Sequence, residues 1–481
     1  MLRAAKLVKV SCIFTKKNAS KVITKLQDIG IVHLIKSKPA NGFKPVLIDE
    51  GESKRLTELL GRANNLIKLI EIRTLKPFFR EIFGPRYIYA MPKDGYTKKL
   101  DKKLLHFEKK YKILRYTKAK ISASDYSEIV FIRNIVKDEL DRHEVLQLFS
   151  ESKYLMKFEG WLENSNWLRV KSSMEHATKN TCVFTMHKPK VNDEVPTLLK
   201  NPGIVKPFEI FTENYGTPNY WEIEPTPITA LTFPLIFGLM FADVGYGLSL
   251  AALSIFVYIY TTKESKFRKS LNLVFIYLGI SSAIFGIIFG EFFGFSFRRG
   301  IDPVSDIILF LLIAILIGLM HISIGILTKI LSNIKNKGIV IQGISMLTVI
   351  WSAVSLYNWQ SIYNKSLLLI GLVALLFSQR LEMFKELLSL LIGALSYMRI
   401  AILGIGHLVI NRLLVSSYSE LSTTFLGAIL FIIVFVIGSL IVLTLGIFIT
   451  VLQDIRLHWV EFFPKFLSGK GIKFKPFRHT F

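Results

Sequence analysis

The feature that most constrains this chain is a long apolar run near its C-terminal end with a cation close to its middle. Residues 386–416 read ELLSLLIGALSYMRIAILGIGHLVINRLLVS, which is longer than the roughly 20 residues that a helix needs to cross a bilayer. Arg399 lies near the centre of this run, and its guanidinium stays charged at any physiological pH. Because a charge at membrane depth is costly, such a side chain persists only where it faces protein or water. The run therefore predicts a membrane helix in which Arg399 has a function.

The composition indicates a membrane protein with a soluble part. Of the 481 residues, 51% are hydrophobic, and the apolar blocks lie within residues 226–463, whereas residues 1–225 are polar and rich in lysine. A net charge of +25 would suggest nucleic acid as the partner of a soluble protein. Here much of the charge flanks apolar blocks, where lysine and arginine fix the orientation of membrane helices. We therefore expect a lipid bilayer and no nucleic acid.

The two cysteines and the opening residues indicate which chemistry and which compartment to expect for the soluble half. Cys12 and Cys182 lie in strand-like apolar runs, which indicates neither a disulfide framework nor a metal site. The opening residues, MLRAAKLVKVSCIF, lack the long apolar core of a secretory signal. The soluble half is therefore predicted to stay on the cytoplasmic side.

The soluble half is predicted to form a cytoplasmic arm over residues 1–198. A strand–helix–strand pattern at residues 6–36 returns at residues 154–187, and the two halves could complete one small α/β lobe. Residues 50–150 between them carry three apolar stripes at helical spacing, which favours helices lying side by side; an ordinary helical domain core is the alternative. A Pro-rich stretch with aromatic residues, 199–226, is predicted to be an interfacial connector.

The first apolar block, residues 227–261, is too long for one simple span and is interrupted by a Gly-rich segment. If this segment turns the chain back as a hairpin of two short helices, nearly all basic loops fall on one side, as the positive-inside rule requires. The residues assigned to the hairpin are Gly238, Asp243, Gly245 and Gly247, with Asp243 as the residue that caps or shapes it.

The predicted architecture is an α-helical polytopic membrane protein with an N-terminal cytoplasmic α/β lobe and helical arm. Its transmembrane domain covers residues 227–463, with the last two helices long and tilted, and a basic tail, 464–481, lies in the cytoplasm like the N-terminus. The eight predicted spans lie near residues 227–242, 245–262, 270–295, 304–328, 339–357, 365–378, 386–416 and 423–455.

Several motifs along the chain are recognisable. The membrane half contains FPLIFGLMFADVGYGL (233–248), ALSYMRIAILGIGHL (394–408) and RLHWVEFFPKFLSGKGIKFKPF (456–477). The soluble half contains LQDIGIVHL (26–34) and FEGWL (158–162). Together these motifs resemble the membrane stator of rotary ATPases, which is subunit a of V-type ATPases and subunit I of archaeal A-type ATP synthases.

The resemblance implies a non-catalytic subunit, in an archaeal-type cell membrane, that lies against a proteolipid ring and connects to the peripheral stalk subunits of the rotary complex. It implies two proton half-channels separated by an arginine, which Arg399 matches in its SY-x-R context. Arg456 matches a second arginine of the family, and His407 matches a histidine two turns beyond Arg399. Two departures are Gly446, at a place where the family often has a glutamate, and an unusually short soluble arm. No cofactor is implied.

The residues themselves support a role in proton transfer. A permanent cation favours the charged form of a neighbouring carboxyl group, and arginine does not release its own proton as a buried lysine can. Other polar side chains of the apolar half are candidates for the proton path, each with a structural alternative as a solvated helix-end charge or a hydrogen-bonded core residue. These candidates are Gln453, Arg456, Glu461, Asp454, Glu386, Glu291, His407 and His321.

Two other functions fit the sequence. A free-standing secondary transporter is the first, because broken helices such as the predicted GLMFADVGYG hairpin also occur in that class. A structural anchor that has lost ion conduction is the second, favoured by Gly446 and the short arm. The chain has no Walker-type Gly-rich loop, so nucleotide chemistry is predicted to lie in partner subunits.

Overall fold

The computed structural model describes most of the chain, in two compact units. One, the N-terminal unit, holds Ala5–Pro196 together with Lys473–Phe481; the other, the helical unit, holds Thr197–Ile472 and the first four residues. The predicted class, a mostly α-helical protein with a small N-terminal α/β region, is confirmed. The described residues are 4–37, 42–46, 50–73, 97–114, 123–190, 192–260, 266–297, 302–358, 362–379, 383–421 and 424–479.

A six-stranded antiparallel sheet organises the N-terminal unit. Its elements are β1 (Leu7–Thr15), α1 (Ala19–Ile29), β2 (His33–Ile35), β3 (Lys44–Pro45), α2 (Glu50–Arg73), α3 (Thr97–Leu114), α4 (Ala123–Leu146), β4 (Ser150–Glu151), β5 (Leu155–Glu163), α5 (Trp167–Thr178) and β6 (Cys182–His187). The strand order is β3-β4-β5-β1-β6, and β2 also pairs with β5. Because β1 pairs with both β5 and β6, the two strand–helix–strand segments of the sequence share one sheet.

Helices α2, α3 and α4 pack through the apolar stripes seen in the sequence. Arg62 of α2 adds ion pairs to α3, with its Nη1 3.0 Å from Asp101 Oδ1 and its Nε 2.7 Å from Glu108 Oε1. Residues 76–96 of the predicted arm lie outside the described residues. The buried members of the cluster are Leu56, Leu59, Ala63, Leu66, Ile67, Leu100, Leu104, Phe107, Ile129, Ile132, Val136 and Leu140.

The C-terminal residues of the chain belong to the core of the N-terminal unit. Phe477 is 8% exposed, packs in the same hydrophobic cluster as β1, and donates its N–H to Val32 O at 2.8 Å. The ring nitrogens of His479 lie 2.7 Å from Asp138 Oδ2 and 3.1 Å from Asp28 Oδ1. Phe477 and His479 of the predicted basic tail are thus part of a folded unit, which the charge of the tail did not indicate.

Replacing Phe477 with alanine is expected to lower the free energy of unfolding of the N-terminal unit by about 3–5 kcal/mol, the usual range for a buried Phe→Ala change. Hydrogen exchange of the β1 and β5 amides in the full chain would report this as faster exchange. Lys475→Ala is the matched control, because the Lys475 side chain is exposed and its main chain makes the hydrogen bond to His33. Equal exchange in the two variants would contradict the packing role of Phe477.

The helical unit consists mainly of apolar helices. In chain order they are α6 (Glu209–Tyr215), α7 (Thr226–Met240), α8 (Val244–Tyr260), α9 (Lys266–Phe289), the strands β7 (Glu291–Phe292) and β8 (Phe295–Ser296), α10 (Ile307–Ser332), α11 (Lys337–Asn358), α12 (Ile362–Gln379), α13 (Met383–Ser396), α14 (Met398–Leu421) and α15 (Phe425–Arg456). Among the described residues five helical segments are long and apolar enough to cross a membrane, and α7, α8 and α12 are shorter apolar helices. The five segments are Phe267–Phe289, Ile307–Ser332, Lys337–Leu356, Phe384–Ser417 and Phe425–Lys465.

Helices α7 and α8 run in opposite directions along α9. Later residues of α7 contact later residues of α9, so these two helices run in the same direction. Later residues of α8 contact earlier residues of α9, so α8 runs in the opposite direction. The α9 partners are Ser281 for Pro234, Phe285 for Gly238, Gly279 for Gly247 and Gly286 for Val244. A Cβ at Gly247 would lie only 2.7 Å from Gly279 O, so glycine permits this close approach of two helices.

The chain reverses between α7 and α8 at residues 241–243. Asp243 is fully buried, and its carboxylate accepts the backbone N–H groups of Tyr246, Phe293 and Gly294 at 3.0, 3.0 and 3.1 Å. It therefore caps the start of α8 and ties it to the turn between β7 and β8.

Candidate functional site

Arg399 lies at the start of α14, directly after the interruption that separates it from α13. Its side chain is 26% exposed; Nη1 lies 3.8 Å from Glu461 Oε1, and Nη2 donates to Ser396 Oγ at 3.3 Å. The Glu461 side chain is only 6% exposed. The structure therefore brings two predicted site residues together as a loose ion pair with one partly open side.

Glu461 lies where the last helix changes from an α-helix to a π-helical turn. Residues Leu457–Phe462 form a π-helical turn that continues α15, and such turns are frequent at functional sites. Within the described part of the chain, Arg399 Nη1 and Glu461 Oε2 are buried atoms without a hydrogen-bond partner. Both groups therefore keep capacity for a further polar partner.

Gln453 and Arg456 lie on the same helix, before the π-helical turn. Gln453 is half-buried, and its Oε1 has no hydrogen-bond partner among the described residues. Arg456 is exposed. Glu386, half-buried on α13, accepts a hydrogen bond from Gln342 Nε2 at 3.3 Å.

His407 is packed inside the helical unit. Its ring packs on Phe241 at 4.1 Å between centroids with a tilt of 32°, and its Nε2 lies 3.0 Å from Asn411 Nδ2. The Phe241 ring also fills the space beside Gly446, where a Cβ would lie 2.7 Å from Phe241 Cε2. At position 446, where the family often has a glutamate, the space for a side chain is therefore filled by the Phe241 ring.

Glu291 is fully buried and is held by an arginine that sequence reasoning missed. Arg412 Nε donates to Glu291 Oε1 at 3.0 Å, and its Nη2 lies 2.9 Å from Asp302 Oδ1. Ser296 Oγ donates to the same Glu291 oxygen at 2.9 Å. Arg412 lies within the apolar run that contains Arg399, 13 residues further on, so its charge in that run was the signal available.

A second buried polar cluster surrounds His321. Its Nδ1 lies 2.8 Å from the Tyr397 hydroxyl, and its ring lies 4.9 Å from that of His458. His458 in turn contacts Thr232 Oγ1 through Nε2 at 2.9 Å and Asp454 Oδ1 through Nδ1 at 3.1 Å. His321, Tyr397, His458 and Asp454 are all at most 3% exposed. His458 was not singled out in the sequence, because nothing local distinguishes it from its aromatic neighbours.

An apolar face surrounds the open side of Arg399. Ile402, Ile410 and Leu413 lie on the Arg399 side of α14 and are 59%, 52% and 63% exposed. In the segment Phe425–Lys465, none of the most apolar stretch is buried within this chain. The described residues contain no group of three or more His, Cys, Asp and Glu side chains that could hold a metal ion. The charged groups at this face are the Arg399 guanidinium and the Glu461 carboxylate.

Comparison with known proteins identifies the family. The chain matches the V-type ATPase 116kDa subunit family over residues 88–300 and 396–479, which include the α7–α8 hairpin, Arg399 and Glu461. It is 27% identical to A-type ATP synthase subunit I of Pyrococcus horikoshii over 79% of this chain and 62% of that protein. For the proteins of the same name from Thermococcus kodakarensis and Methanothermobacter thermautotrophicus, the identities are 26% and 29%, over 73% and 74% of this chain and 58% and 57% of those proteins. The chain thus spans about three fifths of the length of these relatives. It belongs to the V-type ATPase 116kDa subunit family.

Proposed function

We propose that this chain is a non-catalytic membrane subunit of a rotary A/V-type ATP synthase or ATPase. In this proposal it forms two proton half-channels against a proteolipid ring, and Arg399 separates them. The observation that carries the proposal is a partly exposed arginine on an otherwise apolar helix face, backed by the buried carboxylate of Glu461.

The chemistry of this face favours a partner that is apolar and carries a carboxyl group. A guanidinium against lipid tails would be costly, so the face around Arg399 requires a protein or water-filled neighbour. An apolar helix would cover the exposed side chains of α14 and α15, and a carboxyl group on it would meet Arg399. Because a fixed cation favours the ionised form, a protonated carboxyl group that reaches Arg399 would release its proton there.

Polar groups on both sides of Arg399 support two separate proton routes. Glu461, Gln453 and Glu386 lie towards the end of the helical unit where α13 begins and α15 ends. In the other direction, α14 carries His407 and then Arg412, which at 13 residues from Arg399 is about 20 Å away along the helix. Arg399 would thus prevent a direct leak between the two groups of polar side chains.

The remaining parts of the proposal concern partners and location. The named relatives are subunits of archaeal A-type ATP synthases, so we place this chain in an archaeal multi-pass membrane setting with both termini cytoplasmic. The N-terminal unit, with its sheet and helices α2–α4, would link the membrane part to a peripheral stalk, and nucleotide chemistry would belong to other subunits of the rotary complex.

Purification of the tagged chain from its native membrane should bring with it a small, very apolar proteolipid. Ile402→Trp on the Arg399 face is expected to reduce the recovered proteolipid, because a bulky ring would obstruct the partner. Ile370→Trp is the matched control on α12, since the two isoleucines are 59% and 61% exposed. A free-standing transporter would instead purify alone, and recovery without any proteolipid would refute the stator proposal.

A further inference from the structure

His321 contacts both segments that carry the Arg399–Glu461 pair. On one side its Nδ1 lies 2.8 Å from the hydroxyl of Tyr397, two residues before Arg399. On the other side its ring stacks on Phe462, the residue after Glu461, at 4.0 Å and 21°. One side chain of α10 therefore lies between the start of α14 and the π-helical turn.

Tyr397 anchors the turn that directly precedes Arg399. Tyr397 is fully buried, and its ring packs on Gly318 so closely that a Cβ there would come within 2.5 Å of Tyr397 Cβ. Backbone bonds from Tyr397 N–H to Ala394 O at 3.2 Å and from Ile400 N–H to Tyr397 O at 3.0 Å close a tight turn between α13 and α14. Tyr397 is thus held inside the unit, whereas Arg399, two residues further on, keeps a partly exposed side chain.

His321 is itself held from several directions. It is 3% exposed, lies 4.9 Å from the ring of His458, and is enclosed by Tyr397 and Phe462. His458 is anchored by Thr232 of α7 and by Asp454 one turn earlier on its own helix. A His321 ring fixed in this way cannot turn without breaking the hydrogen bond to Tyr397 or the stack on Phe462.

We propose that His321 is a positioning residue that holds Arg399 and Glu461 in register, through its hydrogen bond to Tyr397 and its stack on Phe462. This inference rests on the proposed function, because it assigns His321 a role in the proton transport that Arg399 controls. The two members of the loose 3.8 Å pair lie on segments distant in sequence, and the His321 side chain contacts both segments. A shift of either segment would move the arginine relative to its carboxylate.

The test separates the two contacts of His321. His321→Phe keeps an aromatic ring for Phe462 but loses the bond to Tyr397, and Tyr397→Phe removes the same bond from the other end. Each change is expected to lower ATP-driven proton uptake per assembled complex about tenfold, the effect of one lost positioning hydrogen bond, and to raise passive proton leak. Because both remove one interaction, the double variant should be no worse than either single variant. His321→Asn, which keeps a hydrogen-bonding atom near the Nδ1 position, should recover part of the uptake.

Passive leak distinguishes positioning from a structural role, because fewer assembled complexes would lower leak rather than raise it. Thr328→Val is the matched control, since this buried hydroxyl donates to Ile324 O of its own helix at 2.7 Å. Parental uptake and leak in both His321→Phe and Tyr397→Phe would overturn the inference, even if Arg399→Ala abolishes transport. Parental transport in Arg399→Ala would instead refute the proposed function.

Discussion

An Arg399→Ala complex is expected to lose ATP-driven proton transport by at least about 100-fold, a loss typical of removing one preorganised charge-stabilising group. Without the guanidinium, nothing at the open face favours the ionised form of an arriving carboxyl group, and the two sets of polar side chains are no longer separated by a positive charge. Uptake of protons into sealed vesicles measures the loss, and the recovery of partner subunits measures assembly.

Removing Arg399 alone has a side effect that needs its own control. The Glu461 side chain, 6% exposed, would lose its ion-pair partner, and an unpaired buried carboxylate destabilises a protein. Arg399→Ala combined with Glu461→Gln avoids this cost and should be equally inactive. Arg399→Lys keeps a charge but presents a group that can lose its proton when buried, so it should transport poorly as well. Parental uptake in the double variant would contradict a central role for Arg399.

The parts of the site that could be predicted are those with a local physical signature. Arg399 was recognisable because a cation inside a long apolar run has a high cost and few explanations. The reversal at residues 241–243 was recognisable because a Gly-rich break combined with the distribution of basic loops allowed few topologies. Both features are visible within a short window of sequence.

The parts that could not be predicted depend on contacts between distant residues. The His321–Tyr397 bond joins residues 76 positions apart, and no periodicity of α10 or α14 indicates which turn meets which. The helix interruption at Tyr397 and the π-helical turn at Leu457–Phe462 have no local sequence signal such as proline at the break itself. Phe477 could not be recognised as a core residue from the sequence, because it lies in a basic tail and packs against strands from the start of the chain.

Arg412 is a charged residue of the apolar run whose partners are distant in sequence. Arg412 lies near the end of the run that has Arg399 at its centre, and it was not among the predicted site residues. In the structure it is the partner of a fully buried acid, and it joins α14 to β7 and to Asp302. A cation near the end of a membrane helix is thus held by acids in the segment that follows a neighbouring helix.

Arg412→Met is expected to destabilise the helical unit by about 3–5 kcal/mol, because it leaves Glu291 as an uncompensated charge in a fully buried position. Methionine keeps much of the length of the side chain, so the lost charge rather than lost packing dominates the effect. Thermal unfolding of the purified protein in detergent measures the change as a lower melting temperature.

The combined variant Arg412→Met with Glu291→Gln should recover a large part of the loss, since a neutral amide costs less to bury than a carboxylate. Asp302→Asn is the matched control: this side chain is 38% exposed, so losing its pair with Arg412 should cost no more than about 1 kcal/mol. If the Arg412→Met and Asp302→Asn variants melt at the same temperature, Glu291 does not depend on Arg412 for its buried position. Other contacts of Glu291, such as the hydrogen bond from Ser296, must then hold it.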